Sequence, residues 1–276
     1  PARKIAGGTA SPERLIEVTE SLGLRDSVLT QLSKLSQSVF TLDFGDSFSV
    51  AAGEPVMSLV FTALGNSAKL VFLSLLVIVP VSILGGLVTA YKKDTWIDRT
   101  IINIGIAFSA IPDFVAGVFL LAFLAVPIEF FKVQAAAPPG SSIPVQIQHL
   151  LLPVLAVLMV YFGYIARVTR AGTITALDSD YARTAFMRGL STSQVFRKHI
   201  ARNALQPTVA VLGTQLGYLF GGMVALELVF GYQGVGNLIL RAVDRADYPV
   251  LRAGVLAVAI IYMLATLAAD LMVAYM

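Results

Sequence analysis

Two carboxylates and a proline stand out because they lie in stretches that are otherwise apolar. Pro112 and Asp113 interrupt the apolar run 101–128, and Glu227 follows the run 207–226. An ionisable group at membrane depth is costly, so such residues usually pair or line a path for an ion or a substrate. Asp113 lies about thirteen residues into its run, near mid-depth at a rise of about 1.5 Å per residue. Pro112 before it is expected to free backbone groups and kink the helix. A structural hydrogen bond explains Asp113 equally well, and Glu227 fits an interfacial position at least as well as a pathway.

The residue types that most enzymes use are scarce. The chain has no cysteine and two histidines, which excludes a disulfide framework and a thiolate metal site. His149 and His199 have no partner at ligand spacing, so we expect a structural role for both and no metal site. No G-x-x-x-x-G-K-[ST] sequence occurs, so we expect neither an ATPase site of that class nor a cofactor in this chain. No Ser/His/Asp arrangement at the depth of the apolar runs supports a membrane enzyme.

The residues best suited to binding a partner lie in the polar segment 167–206, between two apolar runs. Forty residues are far more than a connection requires. A first short helix is predicted at about Ser179–Arg188, with acids at its start and a base at its end. Gly189 suits the left-handed position that ends a helix, and Ser191 with Gln194 matches a capping box for a second helix. We therefore expect an ordered helix–turn–helix that docks a partner.

The apolar runs around these residues predict a membrane protein. Hydrophobic residues make up 57% of the chain and charged residues 13%, whereas soluble domains have roughly 25% charged residues. Five runs reach the roughly 17 to 20 residues that a spanning helix needs, and the alternating pattern of a membrane barrel is absent. Backbone in hydrocarbon must satisfy its own hydrogen bonds, so the runs are expected to be helices. The predicted spans are 70–90, 101–128, 150–166, 207–226 and 253–269.

The basic residues predict the orientation of these spans. Segments 91–100 and 167–206 together hold ten Lys and Arg, whereas the loops 129–149 and 231–249 on the opposite side hold three. The positive-inside rule places the basic segments in the cytoplasm. We therefore expect 1–65 to be an extracytoplasmic segment and 66–276 a transmembrane domain, with 167–206 as its cytoplasmic loop. A translocated segment of this length leads us to expect a further, first transmembrane helix upstream.

A stripe of glycines marks the fourth run. Gly213, Gly217 and Gly221 are spaced four residues apart, so they lie on one helix face. Small residues at this spacing let helices approach closely in a membrane. Packing within this chain and packing against a partner subunit are equally compatible with the pattern.

The polar segment resembles the signature loop of ABC importer permeases, and more narrowly that of the dipeptide, oligopeptide and nickel branch. The resemblance rests on Tyr181–Ala185, Gly189–Ser191 and His199–Pro207. The general family pattern is Glu-Ala-Ala, three residues and then Gly. Here the triplet is Arg-Thr-Ala at 183–185, so the acidic first position is absent, a departure that the peptide branch commonly shows.

Further motifs extend the resemblance over nearly the whole chain. They are Phe44–Ser47, Ile111–Phe114, Glu227–Phe230, Gly234–Gly236 and Asp247–Val250. The resemblance implies an all-α integral membrane protein with the bundle of a type I ABC importer permease. Five transmembrane helices would belong to this chain, and the family's first helix would lie upstream.

The resemblance also implies a function, partners and sites. It implies a permease of an ATP-driven peptide importer in the bacterial cytoplasmic membrane, forming half of the translocation pathway. The implied partners are a second homologous permease, two cytoplasmic ATPases that bind ATP and Mg, an extracytoplasmic solute-binding protein and the lipid membrane, but no nucleic acid. The residues expected to couple to the ATPases are Asp180, Tyr181, Arg183, Thr184, Ala185, Arg188, Gly189, Leu190 and Ser191. Those expected along the pathway are Pro112, Asp113 and Glu227.

Other substrates and one other class of transporter remain open at this point. Nickel complexes, glutathione and haem-like ligands are carried by related members of the family. A secondary transporter driven by an ion gradient would need charged groups or broken helices near the midplane, and Asp113 is the one candidate for such a group.

Overall fold

A computed structural model describes residues 11–21 and 25–275, and their regular structure is helical apart from one isolated bridge between Asp46 and Pro55. The helices are α1 (Pro12–Ser21), α2 (Val28–Thr41), α3 (Val56–Tyr91), α4 (Trp96–Ser109), α5 (Asp113–Leu120), α6 (Ile143–Leu177), α7 (Asp180–Met187), α8 (Thr192–Val195), α9 (Ala201–Gly222), α10 (Val224–Val229), α11 (Val235–Asp244) and α12 (Tyr248–Tyr275). Two π-helical turns, Leu121–Ala125 and Phe196–Ile200, follow α5 and α8 directly.

Three of the described helices are long and apolar enough to cross a membrane, namely α3, α6 and α12. They contain the predicted spans 70–90, 150–166 and 253–269. A fourth span results if α4 and α5, with the turn after α5, are counted as one broken span. The run 207–226 is helical as predicted, in α9 and α10, but length and composition alone do not mark it as a span. The reason is that α9 includes the polar residues Asn203, Gln206 and Gln215.

The span predicted as one helix over 101–128 is broken. Helices α4 and α5 meet at an angle of 102° around residues 110–112. Proline lacks the N–H that a continuing helix would use, and it drives the preceding residue, Ile111, away from the α conformation. Asp113 is therefore the first residue of a second half-helix, and the kink expected at Pro112 is a complete break.

The helices extend beyond the predicted runs. Helix α3 begins at Val56 and has 36 residues, about 54 Å at about 1.5 Å per residue, whereas the hydrocarbon core is about 30 Å thick. Helix α6 continues to Leu177, well into the predicted loop 167–206. Arg167 and Arg170 are therefore helical residues, and the non-helical connection is much shorter than the sequence pattern indicates.

The first compact unit comprises the residues up to Ser67 together with Gln233–Ile260. Its core contains Val56 and Val60 of α3, Leu238 of α11 and Val250 of α12, all buried. Next to this core the Asp247 carboxylate is fully buried. The Oγ of Ser47 donates to Asp247 Oδ2 at 2.6 Å.

Backbone groups complete the surroundings of Asp247. The N–H groups of Ser49 and Val50 also donate to its Oδ2, at 2.9 and 3.0 Å. Burial alone would raise the pKa of Asp247, but the hydrogen bonds from Ser47 and from the backbone of residues 48–50 hold that pKa below its ordinary value. The motifs 44–47 and 247–250, which are 200 residues apart in the sequence, therefore meet in one hydrogen-bonded node.

The second compact unit comprises Ala68–Tyr232 and Ile261–Met276, with α6 at its centre. Helix α6 packs against α4, α5 and α9. The closest approach of α4 and α6 is at Gly105 and Gly163, where a Cβ on either residue would collide with the backbone of the other.

The glycine stripe of α9 packs within this chain. A Cβ at Gly213 would collide with Ala269 of α12, and one at Gly217 would collide with the ring of Tyr262. Of the two interpretations that the spacing left open, packing inside the subunit accounts for these two glycines. Gly221 is not among the residues whose packing is described.

Candidate functional site

The segment between α6 and α9, residues 178–200, is called the docking segment. Its first helix, α7, begins as predicted, since the Oγ of Ser179 accepts a hydrogen bond from the N–H of Ala182 at 3.4 Å. The helix ends at Gly189, whose φ is +76°. The left-handed conformation predicted for this glycine is confirmed. Apart from Gly189 and its two chain neighbours, no atom of the described residues lies within 4 Å of the position that a Cβ would take, so its backbone conformation requires glycine there.

The second helix of the docking segment begins with the predicted capping box. The N–H of Ser191 donates to Gln194 Oε1 at 3.0 Å, and the N–H of Gln194 donates to Ser191 Oγ at 3.4 Å. Helix α8 then passes through the π-helical turn Phe196–Ile200 into α9 without a break. The chain reversal at 189–191 is therefore fixed by local hydrogen bonds on both sides.

One face of α7 is buried and the other is open. Ala182 and Ala185 are buried against Ala176 of α6 and against Val195 and Ile200, with Leu190 packed beside them. Alanine on the buried face lets α7 lie close to the end of α6. Of the residues predicted to contact an ATPase, Ala185 and Leu190 thus pack inside the protein. Those predicted residues that are exposed are Asp180, Tyr181, Arg183, Thr184, Arg188, Gly189 and Ser191.

The exposed face of α7 also presents residues that sequence reasoning missed. Met187 is 75% exposed and Phe186 is 40% exposed, beside Tyr181 at 41%. The sequence does contain a sign of this surface. In a short helix whose buried face is made of alanine, the large side chains must lie on the opposite, exposed face. An apolar patch between Arg183 and Arg188 is typical of a protein contact, because the core of an interface is apolar and its rim is polar.

The broken span contains the second group of predicted site residues. At the start of α5 the carboxylate of Asp113 accepts the N–H of Phe114 at 2.7 Å. Asp113 is half-buried and Pro112 is exposed. A carboxylate at a helix N-terminus is stabilised by the helix dipole.

Glu227 lies on α10, which packs against α5. A Cβ on Gly117 of α5 would lie 2.8 Å from the ring of Phe230. The side chain of Glu227 is buried, at 1% exposure. Burial, together with the negative charge of Glu227, raises the pKa of the nearby Tyr232 to about 12. Asp113 is thus partly exposed at the break, whereas Glu227 is enclosed in packing.

Of the two histidines, the structure describes the side-chain contact of His149. The Nδ1 atom of His149 lies 2.7 Å from the carbonyl oxygen of Gln134, a contact in which the ring donates and which ties the start of α6 to the preceding loop. The side chain of His199 lies outside the described residues.

The architecture and the docking segment agree with a family of transport proteins. Residues 82–276 match the family described as binding-protein-dependent transport system inner membrane component. The chain belongs to this family of permeases. The family name and the apolar helices α3, α6 and α12 place this permease in the bacterial inner membrane as a multi-pass protein, as the sequence predicts.

Curated relatives match this permease over almost its whole length. A probable peptide ABC transporter permease of Sinorhizobium fredii is 30% identical over 98% of this chain and 86% of its own length. The dipeptide transport system permease of Alkalihalophilus pseudofirmus is 28% identical over 100% of this chain and 88% of its own. The glutathione transport system permease of Shigella flexneri is 30% identical over 99% of this chain and 86% of its own.

A solved structure supports the same fold. The crystal structure of an amino acid ABC transporter with histidines has a TM-score of 0.52 to this permease, with 19% identity over 79% of this chain and 92% of that chain. At this identity the likeness concerns the fold alone. Together with the family match it establishes the all-α type I permease fold. Membership also implies partners for this permease, an ATPase and a substrate-binding protein.

Proposed function

We propose that this permease forms half of the pathway of an ATP-driven peptide importer, paired with a second, homologous permease. Two cytoplasmic ATPases bind and hydrolyse ATP with Mg, and this chain carries no ATPase site and no cofactor of its own. An extracytoplasmic solute-binding protein delivers the substrate. The peptide substrate is supported by the relatives named as peptide and dipeptide permeases.

The observation that carries the coupling role is the two-faced helix α7. Its alanine face is fastened to the end of α6, and its open face presents Tyr181, Met187 and two arginines. A short helix held in this way can sit in a groove of an ATPase and still move α6 when the groove moves. The permease contributes geometry and no covalent chemistry.

The pathway role falls on the broken span. A break in a spanning helix exposes backbone groups, which are tolerated where they line a cavity or are covered by protein. Asp113 and Pro112 lie at this break, partly exposed. We propose that they border the path of the substrate, whereas Glu227 supports the packing of α10.

Glutathione is the second candidate substrate, favoured by the 30% identity to the glutathione permease of Shigella flexneri. Glutathione is itself a short peptide with free amino and carboxylate groups. The two candidates therefore make the same demand on the pathway and differ in what the binding protein selects.

The proposal is tested with the complex in proteoliposomes. Uptake of labelled dipeptides, tetrapeptides and glutathione is measured with the cognate binding protein and ATP inside the vesicles. Arg188→Glu reverses a charge on the exposed face of the docking segment and should reduce the recovery of ATPases with the permease about tenfold, since charge reversal at an interface rim opposes association. Arg241→Glu, on the exposed face of α11, is the matched control and should retain the ATPases.

Two results would contradict the proposal. A wild-type complex that takes up a peptide on an ion gradient without ATP would make this protein a secondary transporter. Equal recovery of ATPases from Arg188→Glu and wild type would remove this arginine from the ATPase contact.

A further inference from the structure

A partly buried ion pair joins α4 to α6 near the docking segment. The Nε of Arg170 lies 2.7 Å from Asp98 Oδ1, and its Nη2 lies 2.6 Å from Asp98 Oδ2. The two side chains are 24% and 5% exposed. Two parallel hydrogen bonds between a guanidinium and a carboxylate fix the geometry of the pair as well as its charge balance.

Asp98 also holds the turn between α3 and α4. Its Oδ2 accepts the N–H of Asp94 at 2.9 Å, and Asp94 has a left-handed backbone with φ of +65°. The Oγ1 of Thr95 caps α4 by accepting the N–H of Asp98 at 3.5 Å. Arg170 of α6 therefore binds, through one carboxylate, the whole turn at which α4 begins.

Two further contacts attach α4 to α6, both further along α4 than Asp98. The backbones of Gly105 and Gly163 touch, and the Oγ of Ser109 donates to the carbonyl of Val160 at 2.7 Å. These contacts lie near the middle and at the end of α4. Helix α4 is thus attached along its length to α6, up to the break that precedes Asp113.

The docking segment packs against the end of α6, the helix that carries Arg170. Helix α6 runs without a break from Arg170 to Leu177, and its Ala176 packs against Ala182 and Ala185 of α7. The ring of Phe196 meets that of Tyr91, at the end of α3, edge to face with centroids 6.2 Å apart. A displacement of α7 therefore reaches Arg170 through about two turns of one rigid helix.

We propose that the Asp98–Arg170 pair is the positioning element that carries movement of the docking segment to the broken span. The pair touches neither ATP nor substrate and acts through the helices that it joins. A two-pronged contact between a guanidinium and a carboxylate is directional, so it holds α4 and α6 in one register at the ends that the sequence places on the cytoplasmic side. The inference rests on the proposed coupling role of α7.

The first test measures uptake per ATP hydrolysed, in proteoliposomes that contain the whole complex. Arg170→Lys keeps the charge but removes the two-pronged geometry. This variant should retain its ATPases and hydrolyse ATP at a similar rate, while uptake per ATP falls about tenfold, within the usual range of coupling between sites. Arg167→Lys, an exposed position one turn earlier on α6, is the control and should keep the wild-type ratio.

The second test follows the movement directly. The chain has no cysteine, so Trp96→Cys and Thr175→Cys place two spin labels without background at exposed positions on α4 and α6. In the otherwise wild-type complex the distance between the labels should be the same without nucleotide and with ATP bound. In the Arg170→Lys background it should change with nucleotide.

The outcomes separate this inference from the proposed function. Absence of ATPases from the wild-type complex would overturn the proposed function. With ATPases bound, a wild-type label distance that changes on ATP binding would overturn the inference, and so would an unchanged uptake per ATP in Arg170→Lys. A variant that merely loses thermal stability, with its ratio intact, would show that the pair is only structural.

Discussion

Two buried carboxylates, Asp247 and Asp98, are satisfied in different ways. Asp247, in the first compact unit, receives neutral donors: the hydroxyl of Ser47 and backbone N–H groups of the loop that follows it, together with the N–H of Val250 in the first turn of α12. Asp98, in the second, receives a guanidinium and one backbone N–H. The neutral donors hold a loop in shape at the start of α12, whereas the guanidinium from another helix fixes the distance between two helices. The comparison shows that the donors around a buried carboxylate decide its role. It can fix the conformation of a loop, or it can transmit movement between two helices.

The largest effect is expected at Asp247. Asp247→Leu leaves the buried hydroxyl of Ser47 and the partly buried N–H groups of Ser49 and Val50 without their acceptor, at about 1–3 kcal/mol for each group that water cannot reach. We expect a loss of at least about 3 kcal/mol in the free energy of unfolding, measured by thermal unfolding in detergent. Asp244→Leu, at an exposed position on α11, is the control. Equal stability of the two variants would show that the loop does not depend on this carboxylate.

A smaller effect is expected at Gly189, where the backbone and not a carboxylate sets the geometry. Gly189→Val forces a β-branched residue into the left-handed region, at about 1–2 kcal/mol, and should re-aim the docking segment. Uptake and substrate-stimulated ATP hydrolysis should fall together while membrane insertion stays normal. Gly189→Asn is the matched control, because asparagine tolerates this conformation. Normal uptake by Gly189→Val would contradict the coupling role of the turn.

The smallest effect is expected for substitution of Ser47, because this change removes only one of the neutral donors to Asp247. Ser47→Ala should cost about 1 kcal/mol at neutral pH. The folded-state pKa of Asp247 lies below its unfolded value, so its contribution is fully present above the ordinary pKa of about 3.9 and is lost as pH falls through the lower folded value. The difference between wild type and Ser47→Ala should therefore shrink below about pH 4, followed by thermal unfolding across pH. A difference that grows on acidification would have the wrong sign.

Local signals in the sequence predicted the docking segment well. The helix start near Ser179, the left-handed Gly189 and the box formed by Ser191 and Gln194 each depend on residues a few positions apart. Such features are fixed by short-range sterics and hydrogen bonds, so a single sequence contains them. The buried face of α7 was not predicted, since Ala185 and Leu190 were expected at the ATPase contact and pack inside the protein.

Long-range pairings were not predictable in this way. Asp98 and Arg170 are 72 residues apart, and Ser47 and Asp247 are 200 apart. No local pattern around one residue of a pair indicates which distant residue it will contact. The motifs that contain Ser47 and Asp247 were recognised, but only separately. Pro112 predicted a kink, but the 102° angle depends on how α5 packs against α6 and α10, which no local rule contains.

The π-helical turn Phe196–Ile200 is a point at which the chain can lose one residue without disturbing the helix that follows. Such a turn accommodates one residue more than the α-helix around it. Deleting one residue inside this turn would restore an ordinary helix and leave Gly213 and Gly217 facing α12. The same deletion further along α9 would rotate every following side chain by about 100° and would bring bulkier neighbours against Ala269 and Tyr262. Insertions and deletions near the docking segment should therefore accumulate at 196–200 and avoid the rest of α9.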